Sequence, residues 1–404
     1  MCTPETTTPL SRRDDRASNR RSRSVGAGGI SLAALWLALL AAPSASATEP
    51  VHIGITTILS GPNADRGQSE QFGVELALQR VNDAGGVLGR RLEALYGDHG
   101  ANPAAGVAAA KRLIEQQHVS VLVGALSTPV TRAVMPVAKD AKVPFVIDIS
   151  TGQEFVDAAG SGGNDYVFKT SPSDLDVAAA VMQRLKAQGV RTVAVVADDI
   201  DFNLANKVAA ERAAATAGIR IVAVETVPKG STDLSAIVAR LDAAHPDRIV
   251  CLLSASNAPF FRAYQASANI PLAGRIDFPS ALAAVSPQFI AAGGLDRAES
   301  VTAFNGALDA QGVQDFMQAY RGKYGIAPNQ RAFFAYETIL VIADAIQRAH
   351  STAPAEIQKA LKSSNFPSAL GGNYTMDGNN HAHTWLQLVT VQGSRPSVAA
   401  ISGL

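Results

Sequence analysis

Two pairs of hydroxyl side chains follow two apolar runs and could hold a negatively charged ligand. Ser127 and Thr128 come soon after the apolar residues 119–123, and Ser150 and Thr151 come soon after residues 143–147. Because each run is typical of a strand covered on both faces, the hydroxyls fall where strands end and helices begin. Hydroxyl and N–H groups at a helix N-terminus bind anions. The pattern therefore predicts an anion site, with plain helix capping as the alternative use of each pair.

Other groups of reactive residues give weaker signals. The chain has no Gly-x-Ser-x-Gly motif, so a hydrolase nucleophile has no support. Asp198, Asp199 and Asp201 could bind Mg²⁺, but no phosphate-binding glycine loop accompanies them, so we expect solvated loop acids. Asp377, His381 and His383 could suggest a metal, yet no further Cys or His lies nearby in sequence, and we expect a turn there. The sequence predicts no catalytic centre, no metal and no cofactor.

Strands and helices alternate along the segment that carries the hydroxyl pairs. Short apolar runs and helical patterns follow one another from residue 51 to about residue 253, which is typical of βα units and a parallel sheet. A second series begins after residues 166–174 and predicts a second domain of the same build. The last third adds helices and two short strands, around residues 372–376 and 385–391, which we expect to complete these two domains.

The predicted strand ends indicate where a ligand would bind. Ligands of open α/β sheets lie outside the carboxyl ends of the strands, and two such domains facing each other form a cleft. Besides the hydroxyl pairs, strand-end loops occur at residues 61–68, 198–202, 254–257 and 275–277. We expect these loops to line the cleft.

The N-terminal segment predicts export. Residues 12–23 are rich in arginine, residues 31–42 are apolar, and residues 45–47 form an A-x-A cleavage site. The apolar core is shorter than the roughly 20 residues that a membrane span needs. We therefore expect residues 1–47 to be a signal peptide that is removed, with a membrane anchor as the alternative.

Composition excludes several functional classes. The chain has 404 residues, of which 47% are hydrophobic and 17% charged, as in ordinary globular proteins. Without the predicted signal, 29 basic and 32 acidic side chains remain, so the sequence does not predict nucleic-acid binding. Cys251 is then the single cysteine, and we expect it to be a small core residue of a strand.

The mature chain resembles the periplasmic branched-chain amino-acid binding proteins, the solute receptors of ABC importers. Its marks are the Ser-Gly-Pro turn at residues 60–62, the Asn-x-x-Gly-Gly helix end at residues 82–86 and the Gly-Arg stretch at residues 89–90. The segments VSVLVGALST, KVPFVIDIS, VFKTSPSD and YTMDGNNHA continue the similarity in the same order. The resemblance covers nearly all of the mature chain.

The resemblance implies a type I periplasmic binding protein fold, α/β, in which two doubly wound Rossmann-like lobes are joined by a hinge of three segments. The hinge segments would lie near residues 170–172, 300–303 and 381–384. The N-terminal lobe would comprise residues 48–171 plus 302–382, and the C-terminal lobe residues 172–301 plus 383–404.

The resemblance also implies how a ligand would be held. The family binds the ligand carboxylate at the ends of its third and fourth strands, which match Ser127, Thr128, Ser150 and Thr151. Hydrogen bonds to a charged group contribute about 1.5 to 3 kcal/mol each. A helix dipole adds only about 0.3 to 1 kcal/mol. The hydroxyl and N–H groups therefore determine most of the binding energy.

Three further positions match, or nearly match, residues with which the family contacts its ligand, but the residue type or its exact position differs. Phe202 replaces a tyrosine, which keeps an aromatic wall and loses its hydroxyl. Arg66 replaces an aromatic wall residue and is either a contact at the mouth or a solvated loop residue. Asp277 lies within a residue of the acid that binds a ligand ammonium. At the two positions where the family's amino-acid receptors carry half-cystines, this chain has Ala101 and Ser127. An inward Asp277 would suit an α-amino acid, and an outward one an unaminated acid such as an aromatic carboxylate.

The resemblance leads to one expected function and two alternatives. We expect a periplasmic, monomeric solute-binding protein that captures a small carboxylate-bearing molecule and delivers it to an ABC permease with its ATPase. After signal cleavage we expect no stable membrane insertion. The alternatives are a receptor subunit that reports its ligand to a signalling system and a secreted enzyme on the same fold.

Overall fold

The structure is a computed structural model that describes residues 49–254, 256–267, 276–277, 298–392 and 395–401. Contacts place Thr48–Leu404 in one compact unit. The predicted signal, residues 1–47, lies outside the described residues. Among the described helices, none combines the length and the apolar character that crossing a membrane requires.

The first half of the chain forms a parallel sheet with flanking helices. Its strands are β1 (Val51–Thr57), β2 (Leu92–Asp98), β3 (Val121–Gly124), β4 (Phe145–Ile147) and β5 (Val167–Lys169). The helices between them are α1 (Ala64–Asp83), α2 (Pro103–Lys111), α3 (Thr128–Ala141) and α4 (Gln153–Asp157). All neighbours are parallel in the order β2-β1-β3-β4-β5, which places a change of winding direction between β1 and β3.

A second parallel series follows. Its strands are β6 (Thr192–Asp198), β7 (Arg220–Val227), β8 (Arg248–Leu252), β9 (Ile276–Asp277) and β10 (Glu299–Thr302). Its helices are α5 (Asp174–Ala187), α6 (Asp201–Ala217), α7 (Ser235–Ala243) and α8 (Asn257–Ala266). The winding direction changes here between β6 and β8.

The C-terminal third contributes to both halves. Its helices are α9 (Gln311–Tyr324), α10 (Gln330–Ala349) and α11 (Pro354–Lys362). Its strands are β11 (Asn365–Pro367), β12 (Asn373–Met376), β13 (Ala382–His383), β14 (Leu386–Gln392) and β15 (Arg395–Ile401). The strands β11, β12 and β13 form a small antiparallel sheet, and β14 and β15 extend the second sheet to the order β15-β14-β10-β9-β8-β6-β7. The prediction of only two strands here was wrong, because β11 and β13 have only three and two residues, and β15 begins with the polar and proline residues Arg-Pro-Ser.

The central strands of the two large sheets, such as β3, β6 and β8, are buried on both faces, which is why they are mostly apolar, whereas the outer strands β2 and β7 are partly exposed. One face of the first sheet packs on α1, α9, α10 and α11, and the other on α2 and α3. A Cβ atom on Gly73 would lie 2.1 Å from the carbonyl oxygen of Ala332, so a glycine is required where α1 meets α10. Cys251 is a buried strand residue, as predicted.

The chain passes between the two large sheets at three places. It leaves the first sheet after β5, returns after β10 to the helices that cover that sheet, and enters the second sheet again between β13 and β14. The predicted architecture, two doubly wound α/β lobes connected at three places, is confirmed. The exact lobe boundaries remain a prediction.

Candidate functional site

The loop after β3 carries the first hydroxyl pair, Ser127 and Thr128. Ser127 has extended backbone angles and precedes the first residue of α3, whose first turn also contains Pro129. The Ser127 side chain makes no capping hydrogen bond, and its carbonyl oxygen accepts from the N–H and hydroxyl of Thr131. Within the described part of the chain, no protein partner engages either hydroxyl of this pair. Both are available to a ligand at the change of winding direction.

The loop after β4 carries the second hydroxyl pair, Ser150 and Thr151, and here protein groups occupy the hydroxyls. The Ser150 hydroxyl lies 2.9 Å from that of Thr131, and the Ser150 carbonyl accepts from the Lys169 ammonium at 2.7 Å. The Thr151 hydroxyl bonds to the Asp174 carboxylate, and the Thr151 carbonyl accepts from the Asp174 N–H at 2.8 Å. The second hydroxyl pair therefore serves mainly to fix the conformation of the loop after β4.

Asp174 connects the loops of the two sheets. Its carboxylate, at the start of α5, interacts with Thr151 after β4 and with the side chain of Asn206 on α6. Burial raises the pKa of Asp174 to about 6, against the lowering effect of the Thr151 hydrogen bond. The Asp174 carboxylate thus interacts both with the loop after β4 and with helix α6, which follows β6 of the second sheet.

A buried cation lies behind the second hydroxyl pair. Lys169, the last residue of β5, is 1% exposed and also donates to the hydroxyl of Ser171. Burial lowers the pKa of Lys169 to about 8, while Asp176 and Asp174 raise it. A positive charge at this depth favours an anion in the neighbouring cleft.

A pair of buried acids lies at the ends of β1 and β4. Glu70 on α1 accepts a hydrogen bond from the hydroxyl of Thr57, and Asp148 directly follows β4. Burial, and then the neighbouring Asp148, raise the pKa of Glu70 well above its usual range. Burial also raises the pKa of Asp148 to about 7, against the opposing effects of Glu70 and Lys169. Sequence reasoning missed this acid pair, because the two residues stand in separate segments and neither belongs to a motif.

The second sheet has its own polar cluster at its change of winding direction. Asp198 is 3% exposed and accepts from the backbone N–H of Ser254 at 2.6 Å. The side chain of Asn203 donates to Asp198 and to the Ser254 hydroxyl. Asp198 is therefore a structural acid that holds two loops together, and the expectation that it is solvated was wrong.

Of the remaining predicted contacts, two are exposed near the starts of helices, and the side chain of the third lies outside the described residues. Phe202 is 44% exposed in the first turn of α6, where a ligand could cover it. Arg66 is exposed in the first turn of α1, and its charge acts on the guanidinium of Arg331. Asp277 ends β9, but its side chain, like Arg275, lies outside the described residues.

Histidines occur at the passage between β13 and β14. The side chain of His381 is buried, and its Nε2 atom lies 3.3 Å from Oδ2 of Asp176. Burial lowers the pKa of His381 to about 4, although Asp176 acts in the opposite direction. His383 lies 3.2 Å from a carboxylate oxygen of Asp377, in the turn that the sequence predicted.

Comparison with known proteins places the chain among solute receptors. A family profile described as "Periplasmic binding protein" matches residues 50–395. The chain is 26% identical over 399 residues to Leu/Ile/Val-binding protein homolog 7 of Brucella suis, covering 92% of this chain and 98% of that protein. It is 23% identical over 355 residues to the leucine-, isoleucine-, valine-, threonine-, and alanine-binding protein of Pseudomonas aeruginosa, covering 84% and 90% of the two chains.

Solved structures agree on the fold. The substrate binding protein LivJ of Streptococcus pneumoniae, in complex with isoleucine, has a TM-score of 0.70 at 21% identity, covering 87% of this chain and 99% of that one. A solute binding protein of Rhodopseudomonas palustris, in complex with benzoate, has a TM-score of 0.68 at 18% identity, covering 87% and 98%. Since the family profile spans most of the sequence, the chain belongs to the periplasmic binding protein family, as its resemblance to the branched-chain amino-acid receptors predicted.

Proposed function

We propose that the chain is the extracytoplasmic solute-binding protein of an ABC importer and captures a small carboxylate-bearing ligand. The ligand is an amino acid or an aromatic or other organic acid. Two lobes, residues 48–171 plus 302–382 and residues 172–301 plus 383–404, close on it about the hinge. The protein works as a monomer in the periplasm, to which residues 1–47 direct it, and delivers the ligand to a permease with its ATPase.

The observation that carries this proposal is the first hydroxyl pair, which has no protein partner among the described residues. Ser127 and Thr128 stand at the N-terminus of a 14-residue helix, where backbone N–H groups also lack helical partners. Together these donors match the oxygen atoms of a carboxylate. The Lys169 ammonium adds favourable potential from beneath the adjacent loop.

Two similar structures support a carboxylate-bearing ligand. One similar structure holds isoleucine and another holds benzoate, and the two ligands share a carboxylate. We propose that the first hydroxyl pair binds this shared group and that the second sheet, through Phe202 and Asp277, selects what is attached to it. Arg66 completes the proposed contacts, and Ser150 and Thr151 contribute by holding the loop after β4 beside the ligand.

A thermal-shift screen of the purified protein tests this proposal. The compounds are amino acids, aromatic acids and dicarboxylates, each beside its primary amide, so that the carboxylate is the single variable. A ligand present at 100 times its Kd stabilises the native state by about 2.7 kcal/mol. We expect at least one acid to raise Tm while its amide does not. Equal shifts by an acid and its amide, or no shift by any carboxylate, would contradict the proposal.

A further inference from the structure

Three potential metal ligands from two distant segments meet beside the passages between the sheets. Asp176 lies in the first turn of α5, whereas His381 and His383 lie at β13. One ligand atom from each of these residues, here called the histidine cluster, lies within 4.8 Å of the other two. The two imidazole centroids are 5.2 Å apart and inclined by 55°, so the rings are not stacked.

Neighbouring groups contact each member of the histidine cluster. Asp176 accepts from the N–H and the hydroxyl of Ser173 in a capping box, which holds its carboxylate at the start of α5. Asp377 accepts from the N–H of His381 through one oxygen and lies 3.2 Å from Nε2 of His383 through the other. A carboxylate that orients an imidazole in this way is typical of the outer shell of zinc sites.

One of the three distances within the histidine cluster already fits a tetrahedral metal ion. Bonds of about 2.0 to 2.1 Å to nitrogen and oxygen place tetrahedral ligand atoms about 3.3 Å apart. The Nε2 atom of His381 lies 3.3 Å from Oδ2 of Asp176. The His383 side chain is 38% exposed and can rotate toward that pair. Two imidazoles with one carboxylate favour zinc and similar transition metals over Ca²⁺ or Mg²⁺, which prefer oxygen ligands alone.

Burial and charge permit an ion to enter. The His381 side chain is 2% exposed and forms the inner wall, whereas that of Asp176 is 22% exposed and leaves an opening for the ion and a water ligand. The Lys169 ammonium acts on His381 and opposes a cation. The carboxylates of Asp176 and Asp377 offset that charge.

We propose that Asp176, His381 and His383 form a binding site for a divalent transition metal, separate from the solute site. The sequence suggests a metal at Asp377, His381 and His383 but predicts a turn instead, because Asp176 belongs to a different segment from the histidines. An ion bound here joins the start of α5 to β13, at the edge of two passages between the sheets.

Calorimetric titration with ZnCl₂ of the purified, EDTA-treated protein tests the proposal. We expect one Zn²⁺ per chain and a rise in Tm with saturating metal. The His383→Ala variant should bind at least tenfold more weakly while keeping its circular dichroism spectrum, because that side chain is partly exposed. Asp176→Asn should show the same loss of binding.

A matched control separates this site from unspecific binding. His52 also lies near a carboxylate, 3.8 Å from Glu93, and its His52→Ala variant should bind Zn²⁺ as the unaltered protein does. X-ray absorption at the zinc edge should show nitrogen and oxygen ligands only. Absence of saturable binding at one ion per chain, or a change below threefold in His383→Ala, would overturn the proposal.

Discussion

The loops after β3 and β4 carry the same kind of residues at neighbouring strand ends, yet the protein uses them differently. Ser127 and Thr128 leave their hydroxyls without protein partners in the described residues. Ser150 and Thr151 bind Thr131 and Asp174 instead. The difference arises from the surroundings, because buried charges stand beside the second loop and require hydrogen bonds. Residue type at a strand end therefore predicts a polar loop, and only the neighbours decide whether it remains free for a ligand.

The largest expected effect comes from removing both free hydroxyls. The double variant Ser127→Ala, Thr128→Val should lower affinity for the identified acid at least about a hundredfold, since each bond to a charged group contributes roughly 1.5 to 3 kcal/mol. Calorimetric titration measures the loss. The Thr216→Val variant, which removes an exposed hydroxyl bonded to a helix carbonyl, is the control and should bind normally. If the double variant binds the acid within threefold of the unaltered protein, the loop after β3 is not the ligand contact that distinguishes it from the loop after β4.

The second expected effect concerns pH and the acid that begins the loop after β4. The pKa of Asp148 is raised to about 7 in the folded state, so the folded protein binds more protons than the unfolded chain. This contribution to stability is complete below about pH 4 and is lost as the pH rises through about 7. The Asp148→Asn variant should weaken this dependence, and the raised pKa of Glu70 should maintain the remainder. Urea unfolding between pH 4 and pH 8 measures it.

An exposed acid provides the control for the pH experiment. Asp140→Asn, on the surface of α3, should leave the pH profile as it is in the unaltered protein. An Asp148→Asn profile with the same slope as the unaltered protein would show that this carboxyl group does not titrate on folding.

The third expected effect separates stability from binding in the second hydroxyl pair. Thr151→Val leaves the buried Asp174 carboxylate without one donor and should cost about 1 to 3 kcal/mol of unfolding free energy. Ligand affinity should fall less than tenfold. Urea unfolding and titration of the same variant give both values. A loss confined to affinity, with stability unchanged, would make this pair a direct ligand contact like the first.

The smallest expected effect lies on the second sheet. Phe202→Ala should change stability by less than about 0.5 kcal/mol, because the ring is largely exposed. It should weaken ligand binding several-fold if the ring covers the ligand on closure. Val208→Ala, an exposed apolar residue on the same helix, is the control. Equal affinities of the two variants would exclude Phe202 from the site.

Most of the fold followed from local sequence patterns. Strands such as β3 and β6 consist mostly of apolar residues, and their burial on both faces makes them recognisable. The three-residue strand β5 was missed, because it is too short to show a pattern and its last residue is a lysine.

The site was harder to predict. The two hydroxyl pairs follow from strand ends, but the partners that distinguish them do not. Lys169 and Asp174 meet the loop after β4 only through the tertiary fold, and Glu70 meets Asp148 in the same way. A single sequence has no signal for such contacts, since none of these residues belongs to a motif.

A crystal structure with the tightest-binding acid would test the central claim most directly. We predict that the ligand carboxylate accepts hydrogen bonds from the Ser127 and Thr128 hydroxyls and from N–H groups of the first turn of α3. The hydroxyls of Ser150 and Thr151 should keep their bonds to Thr131 and Asp174. A carboxylate bound at Ser150 and Thr151 alone, or at the second sheet, would contradict the account.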